Sequence, residues 1–280
     1  RVEISDFKKD PLDFVLWKPS KKDEPGWDSP WGRGRPGWHI ECSAMSEKYL
    51  GSQFDIHGGG LDLIFPHHEN EIAQSCMSNK TEKFANYWVH NGFVTFKKEK
   101  MSKSLGNIFT ISDANKKYSG QVVRLALFSS HYKQPLDWSE ELLESQSKIL
   151  DKWYSIYRSD YSDKLPDCFG DLLDDLNTPL YITKLHDLFN QSQNGNLEKI
   201  KEFNKACRVL GLFHETKIER EKFKKSKIKI SEEMILNKIK ERENAKKIGN
   251  FDLADKIREE LDKEGIDIKD IKDKTIWNYK

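Results

Sequence analysis

The chain has 280 residues, with 47 Lys plus Arg against 46 Asp plus Glu, so its formal net charge is +1. This balance excludes a globally basic nucleic-acid-binding protein, although it is compatible with a local basic patch. No segment approaches the roughly 18 apolar residues of a membrane span, and the 4 cysteines do not form a disulfide framework. The first residues lack an apolar signal-peptide core, so we expect a cytoplasmic protein without a membrane partner.

The predicted elements change type along the chain. Up to about residue 110, short apolar runs alternate with glycines, and residues 54–57 and 93–96 predict strands. From 111 to about 220, apolar residues recur at spacings of three and four, which predicts helices. Residues 222–229 contain five lysines, and we interpret this run as a solvated linker.

The C-terminal segment predicts two antiparallel helices over residues 231–265. Ser231 is a suitable N-cap for the first helix, because its hydroxyl can accept from the free backbone amides. Gly249-Asn250 breaks the apolar periodicity, and Gly265 ends the second helix.

The first cluster with metal-binding chemistry is His67-His68-Glu69-Asn70-Glu71, directly after Pro66. Proline favours the first turn of a helix, and a helix places His67 and Glu71 on one face, where both can bind the same Zn²⁺. Cys42 offers a thiolate as a third ligand. Spacing alone favours the alternatives, a surface His–Glu pair and a core cysteine.

Two further patterns are typical of nucleotide sites. Gly58-Gly59-Gly60 follows a predicted strand and precedes Asp62, so backbone can approach a ligand closely and a carboxylate can bind a ribose hydroxyl. As an isolated pattern, the glycine run is more often a turn. Lys100-Met101-Ser102-Lys103-Ser104 predicts a basic loop that can neutralise a leaving pyrophosphate, although its composition alone favours a solvated loop.

The lysine loop is identical to the KMSKS signature of class I aminoacyl-tRNA synthetases. Three segments, residues 35–45, 54–60 and 65–75, closely resemble cysteinyl-tRNA synthetases, and the resemblance continues in order over essentially the whole chain. The other matching segments are residues 13–18, 131–141, 174–179, 251–258 and 265–266.

This resemblance implies an enzyme that activates L-cysteine with ATP and Mg²⁺ and transfers it to tRNA(Cys). Cys42, His67 and Glu71 match three of the family's four ligands to one Zn²⁺, which binds the thiolate of the substrate. Trp38 and His57 match residues that line the cysteine pocket.

The resemblance also assigns the nucleotide-binding residues. Gly58, Gly60 and Asp62 fall where the class binds adenosine, and Lys103, with Lys100, matches the catalytic lysines of the loop. The remaining ATP-binding loop residues are Met101, Ser102 and Ser104.

Two features depart from the family pattern. None of the 8 histidines belongs to a His-x-Gly-His motif, and no cysteine occupies the context of the fourth zinc ligand. The chain therefore resembles the C-terminal part of the family. We expect the 280-residue chain by itself to be inactive and to bind zinc weakly through three ligands, and we expect the complete protein to be a monomer.

The expected fold is α/β followed by all-α. Residues 1–110 are the second half of a Rossmann-like catalytic domain, and residues 111–220 are a stem and helical bundle on the tRNA side. Residues 221–280 are a basic linker and a small, mainly helical anticodon-binding domain. In this domain, Trp277 and Tyr279 either stack on unpaired bases or pack locally.

Two other functions are compatible with these residues. One is a cysteine ligase with an amino-sugar acceptor, as in mycothiol synthesis, although an amino-sugar acceptor does not require the helices after residue 231. The other is a tRNA-binding or zinc-binding module without catalytic activity.

Overall fold

The computed structural model describes residues 8–96, 99–101, 108–271 and 274–279, and it describes Lys100 by its backbone alone. The chain divides into two compact units. The first contains the residues up to Val94 together with Tyr132–Pro135, and the second contains Thr95–His131 and the residues from Leu136 onward. The three domain boundaries given above stay a prediction.

The first unit is built around a parallel β-α-β arrangement. Strand β1 (Trp17–Pro19) pairs antiparallel with β2 (Gly34–Pro36), and helix α1 (Trp38–Leu50) follows. Strand β3 (Phe54–Gly60) pairs in parallel with β4 (Ala85–Asn91), and helix α2 (Glu69–Asn79) connects them and contacts α1. A parallel pair requires such a crossover, which brings α2 back against the strands.

The second unit begins with a small sheet and continues as a helical bundle. Strand β5 (Val94–Phe96) lies between β6 (Glu99–Lys100) and β7 (Leu136–Trp138). The bundle core consists of large buried side chains, among them Leu150, Trp153 and Tyr181. Its helices are α3 (Ile111–Lys117), α4 (Gly120–Phe128), α5 (Glu140–Tyr154), α6 (Gly170–Leu173), α7 (Thr178–Ser192), α8 (Leu197–Val209) and α9 (Lys217–Lys227).

The lysine-rich run interpreted as a linker lies largely in helix α9, so that interpretation is wrong for this segment. Thr216 and Glu219 form a capping box that starts the helix. Arg220 is only 4% exposed, and its Nε lies 2.9 Å from Asp151 Oδ1. Lys224 binds the same carboxylate. Asp151 therefore holds α9 against α5 through two cations, which the local composition does not reveal.

The C-terminal part of the second unit has its own core. Helices α10 (Glu232–Lys247) and α11 (Phe251–Lys263) confirm the predicted antiparallel pair, with Ser231 as the N-cap. An antiparallel hairpin of β8 (Ile266–Ile271) and β9 (Lys274–Tyr279) completes the core, and this hairpin was not predicted. The side chains of Trp277 and Tyr279 pack against the core, as in the local-packing alternative. Within the described part of the chain, no helix is both long and apolar enough to cross a membrane.

Asp270 on β8 is the main polar contact of this C-terminal core. Both its oxygens lie 2.9 Å from the guanidinium of Arg242, which is 2% exposed, and one lies 2.6 Å from Lys246 Nζ. The hydrogen bonds from Arg242 and Lys246 hold the pKa of Asp270 well below its usual value. A carboxyl with a lowered folded-state pKa stabilises the fold above its unfolded pKa of about 4 and loses this effect as the pH falls.

We therefore expect Asp270→Asn to lower the opening free energy of the β8–β9 amides by about 1–3 kcal/mol at pH 7, because it leaves Arg242 without its charged partner. The difference from the unmodified protein should shrink below about pH 4. Native-state hydrogen exchange measures both effects. Asp267→Asn is the matched control, since among the described residues the side chain of Asp267 makes only an exposed 3.6 Å pair with Lys269 on the same strand. Equal losses in both variants would contradict this account.

Candidate active site and metal centre

The first unit brings five histidines together around one buried carboxylate. They come from helix α1, strand β3, the turn before α2 and strand β4. The residues are His39, His57, His67, His68 and His90, with Glu71 at the centre.

Glu71 has no solvent exposure. Its Oε1 lies 3.0 Å from His67 Nε2, and its Oε2 lies 2.9 Å from His57 Nε2. Although these contacts are short, neither oxygen is satisfied by a hydrogen bond of good geometry among the described residues. Burial acts to raise the pKa of Glu71, but the neighbouring His57, His67 and His68 outweigh burial, so this pKa is lowered. The result is a buried carboxylate ion with unsatisfied lone pairs.

Cys42 on α1 joins this carboxylate. Ligand atoms of Cys42, His67 and Glu71 all lie within 4.8 Å of one another. Burial, followed by the charge of Glu71, raises the pKa of the Cys42 thiol to about 11. A bound divalent cation would reverse this effect, because it favours the thiolate. One sulfur, one imidazole nitrogen and one carboxylate oxygen are a donor set that zinc binds, so these residues fit the metal that the sequence predicts.

A second set of potential ligands shares the same carboxylate. His57, His68 and Glu71 also offer ligand atoms within 4.8 Å of one another. His68 Nδ1 lies 2.9 Å from His90 Nε2, and burial lowers the pKa of His68 to about 4. A neutral His68 can therefore share one proton with His90 in a hydrogen bond. This set lacks a sulfur ligand, so the set with Cys42 matches a thiophilic metal better.

Two side chains orient His67. Its Nδ1 lies 2.7 Å from His39 Nδ1, so the two rings share one proton in a hydrogen bond. The other nitrogen, Nε2, is then directed at Glu71. Trp38 stacks on the His67 ring with a centroid distance of 4.2 Å and is itself 58% exposed. The indole therefore covers the imidazole while presenting an open face.

The glycine run belongs to strand β3, so the prediction of a turn is wrong. The space beside the strand explains the glycines. A Cβ on Gly59 would lie 2.8 Å from His68 Cε1, and a Cβ on Gly60 would lie 2.5 Å from Asp62 Oδ1. At Gly58, the nearest atom would be Val89 O at 3.5 Å. Gly59 thus admits the His68 ring, whereas nucleotide binding by Gly58, Gly60 and Asp62 stays a prediction.

The KMSKS loop is described only in part. The backbone of Lys100 lies in strand β6, and Met101 is half-buried against the bundle core of the second unit. Ser102, Lys103 and Ser104 lie outside the described residues.

Comparison with known proteins assigns the family. The family model for the tRNA synthetases class I (C) catalytic domain matches residues 1–148. A cysteine–tRNA ligase of Pelagibacter ubique is 55% identical over 283 residues, covering 100% of this chain and 62% of that protein. This chain belongs to the cysteinyl-tRNA synthetase family.

Other relatives give the same result. The cysteine–tRNA ligase of Afipia carboxidovorans is 47% identical over 99% of this chain and 60% of its own length. The cysteine–tRNA ligase of Rickettsia bellii is 49% identical, and the match covers 99% of this chain and 62% of that protein. This chain therefore spans about 60% of the length of the curated relatives that it matches. Among solved structures, the LeuRS in a ternary complex from Agrobacterium radiobacter K84 matches 66% of this chain and 31% of the LeuRS chain. The sequence identity is 14% and the TM-score is 0.45.

The sequence predicts the ligand role of Cys42, His67 and Glu71 in this synthetase-family chain and assigns Trp38 and His57 to a pocket, and these roles stay predictions although the structure brings the three potential ligands together. Sequence reasoning missed His39, His68 and His90 as partners. One signal was present in the sequence: Trp88 and His90 are two positions apart. The structure pairs β3 with β4 so that His57 lies opposite Trp88 and Gly59 lies opposite His90. Because alternate residues share a face of a strand, Trp88 and His90 lie on one face of β4.

We expect Gly59→Ala to destabilise the first unit by about 1–3 kcal/mol, because its methyl group overlaps the buried His68 ring. Gly58→Ala, one position earlier on the same strand, is the matched control and should cost less than about 1 kcal/mol. Denaturant unfolding of the two variants measures the difference. Equal stability of the two variants would show that β3 does not fix the position of His68.

Proposed function

We propose that the complete protein to which this chain belongs is a cysteine–tRNA ligase (EC 6.1.1.16), which activates L-cysteine with ATP and transfers it to tRNA(Cys). We further propose that Zn²⁺ bound by Cys42, His67 and Glu71 holds the thiolate of the substrate. The observation that supports the proposal most is the buried, unsatisfied carboxylate of Glu71 within reach of Cys42 and His67, in a chain of this family.

The chemistry of this site matches selection of cysteine. When bound, zinc supplies a soft Lewis acid, for which a thiolate is a much better ligand than the hydroxyl of serine. The residues of the chain prepare the site. His39 binds Nδ1 of His67 and leaves Nε2 directed at the site, and Glu71 provides the negative charge. Trp38 and His57 border the space in which we place the cysteine side chain.

The nucleotide is the second substrate of the proposed reaction. We place the adenosine of ATP along Gly58, Gly60 and Asp62, with Mg²⁺ on its phosphates. The KMSKS residues Lys100, Met101, Ser102, Lys103 and Ser104 would contact the phosphates, and Lys103 would stabilise the charge that develops on pyrophosphate. We also expect the protein to act as a monomer.

The relatives argue against an amino-sugar acceptor. Proteins named cysteine–tRNA ligase match 99–100% of this chain, and this coverage extends into the C-terminal helices and hairpin. The direct test on the complete protein is cysteine-dependent exchange of pyrophosphate into ATP, with serine as the control, followed by charging of tRNA(Cys). Exchange with cysteine and charging of tRNA support the proposal. Exchange with serine at a similar rate, or transfer of cysteine to an amino-sugar alone, would refute it.

Removal of the sulfur ligand should weaken metal binding. We expect Cys42→Ser to lower zinc affinity by at least 10-fold, because an alcohol replaces the thiolate. Cys76→Ser is the control, since Cys76 packs against the core near Phe54 and Phe84 and belongs to neither ligand set. Competition with a chromogenic chelator measures the affinity. Equal zinc affinities of the two variants would exclude Cys42 as a ligand.

The loop lysine should act on the rate of activation. We expect Lys103→Ala in the complete enzyme to reduce kcat for cysteine activation by 10-fold or more and to leave the KM for cysteine nearly unchanged, because the charge acts in the transition state. Lys117→Ala is the control, since Lys117 makes an exposed ion pair with Glu140. Steady-state pyrophosphate exchange separates the two parameters. A loss confined to KM would contradict the transition-state role.

A further inference from the structure

The loop after helix α5 is fastened to helix α8. Asn204 is 1% exposed, and its Nδ2 donates to the carbonyl oxygens of Arg158 at 3.0 Å and Asp160 at 2.7 Å. The backbone N–H of Ser162 donates to the carbonyl of Lys201 at 3.1 Å. These hydrogen bonds fix the backbone of the loop against the helix, so the loop side chains are presented in a defined arrangement.

A cavity of about 490 Å³ lies between the loop and the first turns of α8, lined by Arg158, Ser159, Asp160, Leu197 and Lys201. Within the described residues, the guanidinium of Arg158 has neither a hydrogen bond nor an ion pair. Lys201 Nζ lies 3.2 Å from Asp160 Oδ2, but solvent screens this exposed pair. The cavity therefore presents one uncompensated cation, one weakly paired cation and a hydroxyl.

The positive charge continues along the same face of α8. Lys201, Lys205 and Arg208 are spaced four and three positions apart, which aligns them over about 10 Å of helix. Arg208 and Lys205 both contact the ring of Tyr161, at 4.3 Å and 5.6 Å from its centroid. Tyr161 is 40% exposed. The ring of Tyr161 thus positions the side chains of Lys205 and Arg208 and remains partly accessible to solvent.

The acidic residues of α8 do not neutralise this face. Glu202 pairs with Lys199 at 2.8 Å, and Glu198 lies in the first turn, where the positive end of the helix stabilises it. The cationic face consists of Arg158, Lys201, Lys205 and Arg208, with Asp160 as the acidic residue in the cavity. Such a concentration of charge is notable in a chain with a net charge of only +1.

We propose that this surface, the α8 cationic face, binds the phosphate backbone of the tRNA substrate. The proposal rests on the proposed function and identifies where the second unit contacts the RNA. Arginine forks bind phosphate oxygens bidentately, and a fixed backbone reduces the entropy lost on binding. Because phosphate contacts carry no base information, the face positions the tRNA and does not read its sequence.

The test is fluorescence anisotropy of labelled tRNA(Cys) bound to the complete protein at several salt concentrations. We expect Arg158→Gln and Arg208→Gln each to weaken binding 3- to 10-fold and to reduce the slope of log K against log[salt] by about 1. Lys148→Gln removes one positive charge from an exposed position on α5 and serves as the matched control, with unchanged affinity and slope. Thermal unfolding verifies that all three variants remain folded.

Affinities and slopes of the arginine variants equal to those of Lys148→Gln would overturn the inference, as would absence of tRNA binding by the unmodified protein. Pyrophosphate exchange in the same preparations separates the two proposals. Normal cysteine-dependent exchange with unchanged tRNA binding refutes the α8 face alone, whereas loss of tRNA binding without any cysteine activation supports the face and refutes the ligase. A final titration uses inorganic phosphate. Tight phosphate binding that depends on Arg158, with unaffected tRNA binding, would assign a small-anion site instead.

Discussion

The arrangement of the first unit depends on one buried charge. Glu71 is inaccessible to water, and a carboxylate in such a position requires compensation by cations or hydrogen bonds. Imidazoles from β3 and from the turn before α2 approach both of its oxygens, and the thiol of Cys42 on α1 completes the donor set. Residues from three elements thus converge on a single side chain. This convergence explains why so many histidines lie within one small unit, and why a divalent cation suits its centre.

The sequence predicted those parts of the site that depend on the spacing of nearby residues or on a specific short sequence motif. The separation of His67 and Glu71 predicted a shared helical face, and their side chains lie 3.0 Å apart. The caps of α10 and α11 predicted the C-terminal helix pair, because capping is a local property of a few residues. The family was identified from the KMSKS string and its neighbouring segments, and the comparisons confirm it.

Contacts between residues distant in the chain were not predictable in this way. His68 meets His90 only because β3 and β4 pair in parallel in one register, which a single sequence does not specify. The glycines of β3 resembled a turn because their local composition does not reveal the ring that packs against them. The lysine-rich segment resembled a linker because its partner, Asp151, lies on another helix. In each case, a tertiary contact outweighed the local pattern.

The central claim is that the Glu71 site binds a zinc ion that accepts the thiolate of cysteine. X-ray absorption at the zinc edge tests it most directly, because zinc–sulfur distances of about 2.3 Å are separated from zinc–nitrogen and zinc–oxygen distances of about 2.0–2.2 Å. For the zinc-loaded protein, our account predicts that L-cysteine adds one sulfur neighbour to the metal and that L-serine adds none. An unchanged number of sulfur neighbours in saturating cysteine would contradict it.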